Sequence, residues 1–176
     1  MPFVNEIDEA QANAPLRELY GKIENNLGFI PHYFMSLGAM PQVIESQMLL
    51  NDAIIADGAL SKTVKEQIGI VVSAINSALY CVTFHMELLR RFGVEKALAR
   101  KLTADYENAP VEMNVKALLR FADKLTRHPE DIEEADIETL KTAGWNDAAV
   151  RETVLTVAYF NFVNRVSLGL GLVAEF

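Results

Sequence analysis

The sequence is short of cysteine, histidine and positive charge, and each shortage closes off a class of function. Its single cysteine, Cys81, excludes an intrachain disulfide and a CxxC zinc site. It leaves a reducing compartment as the expectation. His32 and His128 each adjoin a proline and lie far from His85 in the chain, and none has ligand-like spacing to another histidine, so no metal is expected. Sixteen Lys+Arg against 24 Asp+Glu leave a net charge of −8. That balance argues against a nucleic-acid backbone or an anionic membrane as partner, since both require clustered positive charge. No glycine-rich phosphate loop or dinucleotide fingerprint is present, because Gly169 and Gly171 stand at a helix end and not after a strand. No cofactor is therefore expected. The opening Met1-Pro2-Phe3-Val4-Asn5-Glu6 lacks the basic-then-apolar pattern of a signal peptide, and a cytoplasmic protein is expected.

What is present is an ordinary globular composition: 51% hydrophobic and 23% charged residues over 176 positions, enough to bury a real core. No stretch alternates apolar and polar with period two, so no strand is expected. The punctuation is helical. Asn13-Ala14-Pro15 opens a helix closed by Gly28, and Pro41 opens one running towards Gly58. Ser61 caps a helix from Lys62 to about Ile75, and Ala78 to Phe92 forms the next, stopped by Gly93. Glu95 to Tyr106, Pro110 to Arg127 and Ile132 to Ala143 follow, and Asp147 caps a last helix reaching about Leu168. The fold class is all-α, a single domain over 1–176 with N-terminal helices in 1–57, a motif-bearing hairpin and following helix in 58–106, and C-terminal helices in 110–176. Val154 to Val173 is the most membrane-like stretch, but Asn161, Asn164 and Arg165 interrupt it. It is expected to be buried, partly against another subunit.

A faint repeat supports two related hairpins. Gly58 is followed seven positions on by Lys65-Glu66-Gln67-Ile68, and Gly144 seven positions on by Arg151-Glu152-Thr153-Val154. Each copy reaches an asparagine, Asn76 or Asn161, two to three turns later. Two amphipathic helices would produce the same match by chance.

The stretch Glu66 to His85 carries the residues suited to chemistry. Cys81 and His85, four apart, share one helix face, which continues through the apolar Leu88, Leu89 and Phe92. Along one straight helix Glu66 would be about 15 residues, or roughly 22 Å, from the top of that pair. A reversal at Asn76-Ser77 removes the separation, bringing Glu66 and His85 to nearly the same height with Cys81 a turn nearer the hinge. Asn and Ser also suit a helix start. In that arrangement the helix N-terminus and an imidazolium would favour the Cys81 thiolate, with His85 as proton partner and Glu66 orienting it. Tyr80 adds a hydroxyl for a substrate oxygen. A buried free cysteine and a lone histidine are also common packing residues, and Glu66 could equally be a helix charge beside Lys62 or Lys65. The residues alone leave chemistry and packing both open.

Glu66, eleven residues, Ala78, two residues, Cys81, three residues, His85 resembles the E-x11-C-x2-C-x3-H motif of the carboxymuconolactone decarboxylase / alkyl hydroperoxidase D-like superfamily, peroxidase-related branch. Gly28-Phe29-Ile30-Pro31 with Phe34, Gly58-Ala59-Leu60-Ser61, and Tyr159 to Arg165 are similar to the family's entry, lead-in and closing segments. The resemblance implies a helical bundle forming a dimer, trimer or hexamer. It implies a thiol-dependent peroxidase-like enzyme of antioxidant type, in which Cys81 attacks a hydroperoxide while Glu66 and His85 relay protons. The resolving cysteine of the pair is Ala78 here, so an external thiol reductant becomes the expected partner. Two other roles fit the same residues: a decarboxylase-like lyase using His85 and Glu66 as acid and base, which would survive Cys81→Ser, and a non-catalytic assembly protein in which Cys81 is core packing.

Overall fold

The computed structural model describes residues 2–175. Among them the chain is helical with no strand, in nine helices: α1 Ala14–Leu27, α2 His32–Ser36, α3 Pro41–Ile55, α4 Lys62–Ile75, α5 Leu79–Arg91, α6 Lys96–Asp105, α7 Met113–Arg127, α8 Glu134–Thr142 and α9 Asp147–Gly169. The helix ends follow from local chemistry. The Asn13 side chain accepts from the Leu16 N–H at 3.1 Å, and Ser61 accepts from Val64 N–H at 3.3 Å. Gly28, Gly93 and Gly144 take the left-handed backbone that ends a helix. Two expectations shift. The cap of α9 is Asn146, which accepts from Ala149 N–H at 2.9 Å, while Asp147 sits in the first turn. α7 begins at Met113, three residues after Pro110, and the five-residue α2 has no sequence forecast.

The core is organised around α4, which is buried on every side from Lys65 to Ser73 because α5, α6, α7 and α9 pack around it. Ile68, Ile70, Val71 and Val72 join Leu89, Leu118, Leu119 and Phe160 in the main cluster. Gly69 stands where the Phe160 ring crosses α4, and a Cβ there would collide with that ring. A second cluster ties α1 to α3 through Leu16, Tyr20, Ile23 and Ile44. The side chains that ended both copies of the sequence repeat meet: Asn76 donates to Asn161 Oδ1 and to Asn164 Oδ1, each at 2.9 Å. Asn164 in turn donates to Ser73 Oγ at 2.9 Å. Among the described residues no helix is long and apolar enough to cross a membrane.

The chain reverses between α4 and α5 where the sequence placed the hinge, but by a different device. Asn76 ends α4, and Ser77 adopts a left-handed backbone with φ of 55°, a conformation that costs a non-glycine residue energy and persists only where its surroundings enforce it. Ala78 N–H donates to Ser73 O at 2.9 Å and closes the turn. Neither Asn76 nor Ser77 caps α5, whose start at Ala78 has no side-chain cap.

Candidate functional site

The reversal lays α5 back along α4 and brings Glu66 and His85 into contact. His85 Nδ1 lies 2.7 Å from Glu66 Oε2, with side-chain exposures of 14% and 4%. A carboxylate can only accept, so Nδ1 carries the hydrogen of this bond and Nε2 is the nitrogen that Glu66 does not engage. The imidazole is held in place on its faces and edges: the Phe160 ring lies 4.7 Å away at 65° and Phe84 5.3 Å away at 78°. Lys65 does not compete for Glu66, because its ammonium is bound to Glu152 at 3.0 Å and to Ala56 O at 2.6 Å. Lys62 instead sits 5.0 Å over the Phe92 ring.

Cys81 lies in the first turn of α5 and is 1% exposed. Its Sγ is 3.3 Å from Ser167 Oγ, while Ser167 donates its own hydrogen to Val163 O at 2.8 Å. The thiol is therefore the donor in the resting site. No hydrogen bond joins Cys81 to His85 among the described residues, although both line one cavity of 490 Å³ together with Glu66, Tyr33, Gln47 and Tyr159. The expectation of a thiolate favoured by the helix start and an imidazolium is corrected here. Burial pushes the Cys81 thiol above its ordinary value, and the hydrogen bonds that Ser167 and Asn164 can give the thiolate once it forms offset only part of that. Alkylation of Cys81 by iodoacetamide should therefore be slow at neutral pH and rise only above the range of a free thiol, about 8.5. Alkylation that is complete and level below pH 7 would contradict this assignment.

Tyr80 is placed differently from the sequence reading. Its ring lines the cavity and stacks on Phe84 at 6.4 Å. Its hydroxyl, expected to meet a substrate oxygen, is committed: it donates to Glu175 Oε1 at 2.7 Å and accepts from Tyr33 N–H at 3.1 Å. Glu175 is held in turn by His32, whose backbone N–H donates at 2.6 Å. Leu172, on the same tail, packs against the Cys81 cluster.

Sequence reasoning missed the other polar wall of the cavity. Tyr33 Oη lies 3.0 Å from Gln47 Oε1 and 2.8 Å from Gln47 Nε2, donating to the first and accepting from the second. Gln47 also hydrogen-bonds Tyr159, whose hydroxyl burial pushes up to about 12. The available signal was Gln47 itself, a polar residue among the apolar positions of α3 and only 6% exposed. Among the described residues the one group of potential metal ligands, His128 with Glu130 and Asp131, is exposed and far from this chemistry in the chain.

A buried Glu–His pair and a thiol sharing a cavity on an all-helical bundle define a class. Residues 41–124 match the model of the carboxymuconolactone decarboxylase family. That match and the solved structures below support the carboxymuconolactone decarboxylase / alkyl hydroperoxidase D-like superfamily, peroxidase-related branch, for this chain. Among solved structures, it is 26% identical to an uncharacterized peroxidase-related protein with an alkylhydroperoxidase AhpD core from Ralstonia eutropha JMP134, with a TM-score of 0.92 over 99% of this chain and 92% of that one. An uncharacterized peroxidase-related protein from Silicibacter sp. TM1040 is 27% identical, with a TM-score of 0.87 over 98% and 93%. The debrominase Bmp8, in a cysteine-to-alanine form bound to 2,3,4-tribromopyrrole, shares the fold at 20% identity and a TM-score of 0.84 over 98% and 91%. No curated protein matches the sequence.

Proposed function

We propose that the protein is a thiol-dependent hydroperoxide reductase with Cys81 as its single redox sulfur. The observation that carries this reading is the 2.7 Å Glu66–His85 pair lining the same cavity as the thiol. Glu66 holds Nδ1 protonated, so Nε2 can take the Cys81 proton as a hydroperoxide enters. The thiolate sulfur then attacks the outer peroxide oxygen. An S–O bond forms, the O–O bond breaks, and the departing alkoxide recovers the proton from His85. The products are an alcohol and Cys81 sulfenic acid.

Ala78 occupies the position of the resolving cysteine, so two external thiols complete the cycle. The first displaces water from the sulfenic acid to give a mixed disulfide, and the second frees Cys81 and leaves as a small-molecule disulfide. Because the resting thiol is protonated, turnover relies on His85 and not on a standing thiolate. Leu155, Phe162 and Leu168 of α9 are 52%, 47% and 46% exposed, which supports assembly into a homo-oligomer.

The test is stoichiometric addition of peroxide followed by trapping with dimedone and mass spectrometry. The wild type should take up one sulfenic-acid adduct at Cys81, and Cys81→Ala none. Wild-type protein that remains unmodified would remove the reading. A second reading, a lyase using His85 and Glu66 as acid and base, is favoured by the thiol that burial pushes up. It requires Cys81→Ser to retain turnover of a lactone or carboxylate substrate.

A further inference from the structure

The cavity is built for something much larger than hydrogen peroxide. A molecule the size of water claims roughly 30 Å³ of liquid volume, whereas this cavity encloses 490 Å³, within the range of sites for drug-sized ligands. Aromatic rings supply part of its apolar lining: Phe34, Tyr80, Phe84, Phe92 and Tyr159 all line it. Phe84 is pinned among them, 6.4 Å from Tyr80 and nearly parallel to it, and 5.3 Å edge-on from His85. Such rings present flat apolar faces that prefer another ring in offset or edge-on contact. Polar side chains line it as well, Asn26, Asn51, Asp52, Lys62 and Arg91 among them, and Gln47 holds the hydroxyls of Tyr33 and Tyr159. The His85–Glu66 pair lines the same cavity, with the sulfur between α5 and α9. A substrate filling this space would lay an apolar ring against Phe84 and direct a short oxygen-bearing group at Cys81.

We propose that the site selects hydroperoxides that carry an aromatic ring, in preference to hydrogen peroxide and to compact alkyl hydroperoxides. The proposal rests on the hydroperoxide-reductase reading and deepens it. The reaction is the one written above, with the ring on the leaving alcohol. Phe84 sets the preference by stacking, and the Tyr33–Gln47–Tyr159 wall receives the oxygen of the departing group.

The experiment measures second-order rate constants for oxidation of wild-type Cys81 by cumene hydroperoxide, tert-butyl hydroperoxide and hydrogen peroxide, each divided by its rate with free cysteine. The normalised constant for cumene hydroperoxide should exceed both others at least tenfold, equivalent to about 1.4 kcal/mol of selective binding. In Phe84→Ala that ratio should narrow to about threefold or less. Independently of any variant's folding, the product analogue 2-phenyl-2-propanol should slow iodoacetamide alkylation of wild-type Cys81 at millimolar concentration, and tert-butanol should not. Normalised constants equal for the three peroxides, or no protection by the aromatic alcohol, would overturn the selectivity while leaving the reductase reading intact. Acceleration with none of the three would remove the reductase reading and the selectivity with it.

Discussion

Replacing His85 by alanine is expected to slow oxidation of Cys81 by about 10²- to 10⁴-fold, the usual contribution of a positioned general base. The reason is specific to this site. Cys81 is buried and its thiol is pushed up, so the free thiolate at neutral pH is scarce and proton removal must accompany attack. Raising the pH should supply thiolate directly, so the deficit of His85→Ala should shrink as the medium becomes alkaline. Glu66 acts through His85, and Glu66→Gln should be milder, because an amide oxygen still accepts from Nδ1 but no longer stabilises the imidazolium. Its signature is a displaced pH profile in addition to a lowered rate. Stopped-flow kinetics across pH, with free cysteine as reference, separate these outcomes. A His85→Ala variant that oxidises as fast as the wild type throughout would show that the histidine only packs.

The second large effect is on stability. The Lys65 ammonium side chain is 2% exposed and is held by Glu152 at 3.0 Å. Glu152 also accepts from Ala59 and Leu60 N–H, both at 2.9 Å, fixing the loop that leads into α4. Removing the acid by Glu152→Ala strands a buried cation and two loop donors. The expected loss is about 3 kcal/mol, the low end for breaking a buried pair because Glu152 itself keeps 25% exposure. Urea unfolding should report it as a lower midpoint at unchanged slope. Burial alone would raise the Glu152 carboxyl, but the Leu60 and Ala59 N–H groups and Lys65 outweigh it and hold the acid below its ordinary value. Its contribution is therefore complete above the unfolded carboxyl range, near about 4.3, and is lost as pH falls through the lower folded value. In Glu152→Ala that part of the acid sensitivity should disappear.

Glu152 occupies the place in the second sequence copy that Glu66 occupies in the first, and the comparison shows where sequence reasoning works. One acid faces a histidine and the other a lysine, and the partners, not the glutamates, distinguish a site from a strut. The helix limits at Asn13, Ser61, Gly93 and Gly144 were legible because caps and left-handed glycines act within one turn. The meeting of Glu66 with His85 was legible too, because counting residues from a single hinge fixes relative height along two antiparallel helices. The turn's mechanism was not. Asn76 looked like a helix start but spends its side chain on Asn161 and Asn164, more than eighty residues away. The Tyr80 hydroxyl meets Glu175 across a similar gap. The upward push on the Cys81 thiol comes from burial, to which Val163 and Val166 of α9 contribute by packing against its cluster, and no local pattern around the cysteine encodes that. Gln47 and Tyr33 are joined only once α2 and α3 are folded, and periodicity assigns α2 no weight at five residues.

The most direct test of the account is the rate at which Cys81 of the intact protein is oxidised by cumene hydroperoxide at neutral pH, read by stopped flow beside free cysteine and the His85→Ala variant. The account predicts oxidation well above that of free cysteine, collapsing towards or below it when the imidazole is removed. A wild-type rate no greater than that of free cysteine, and indifferent to His85, would contradict it.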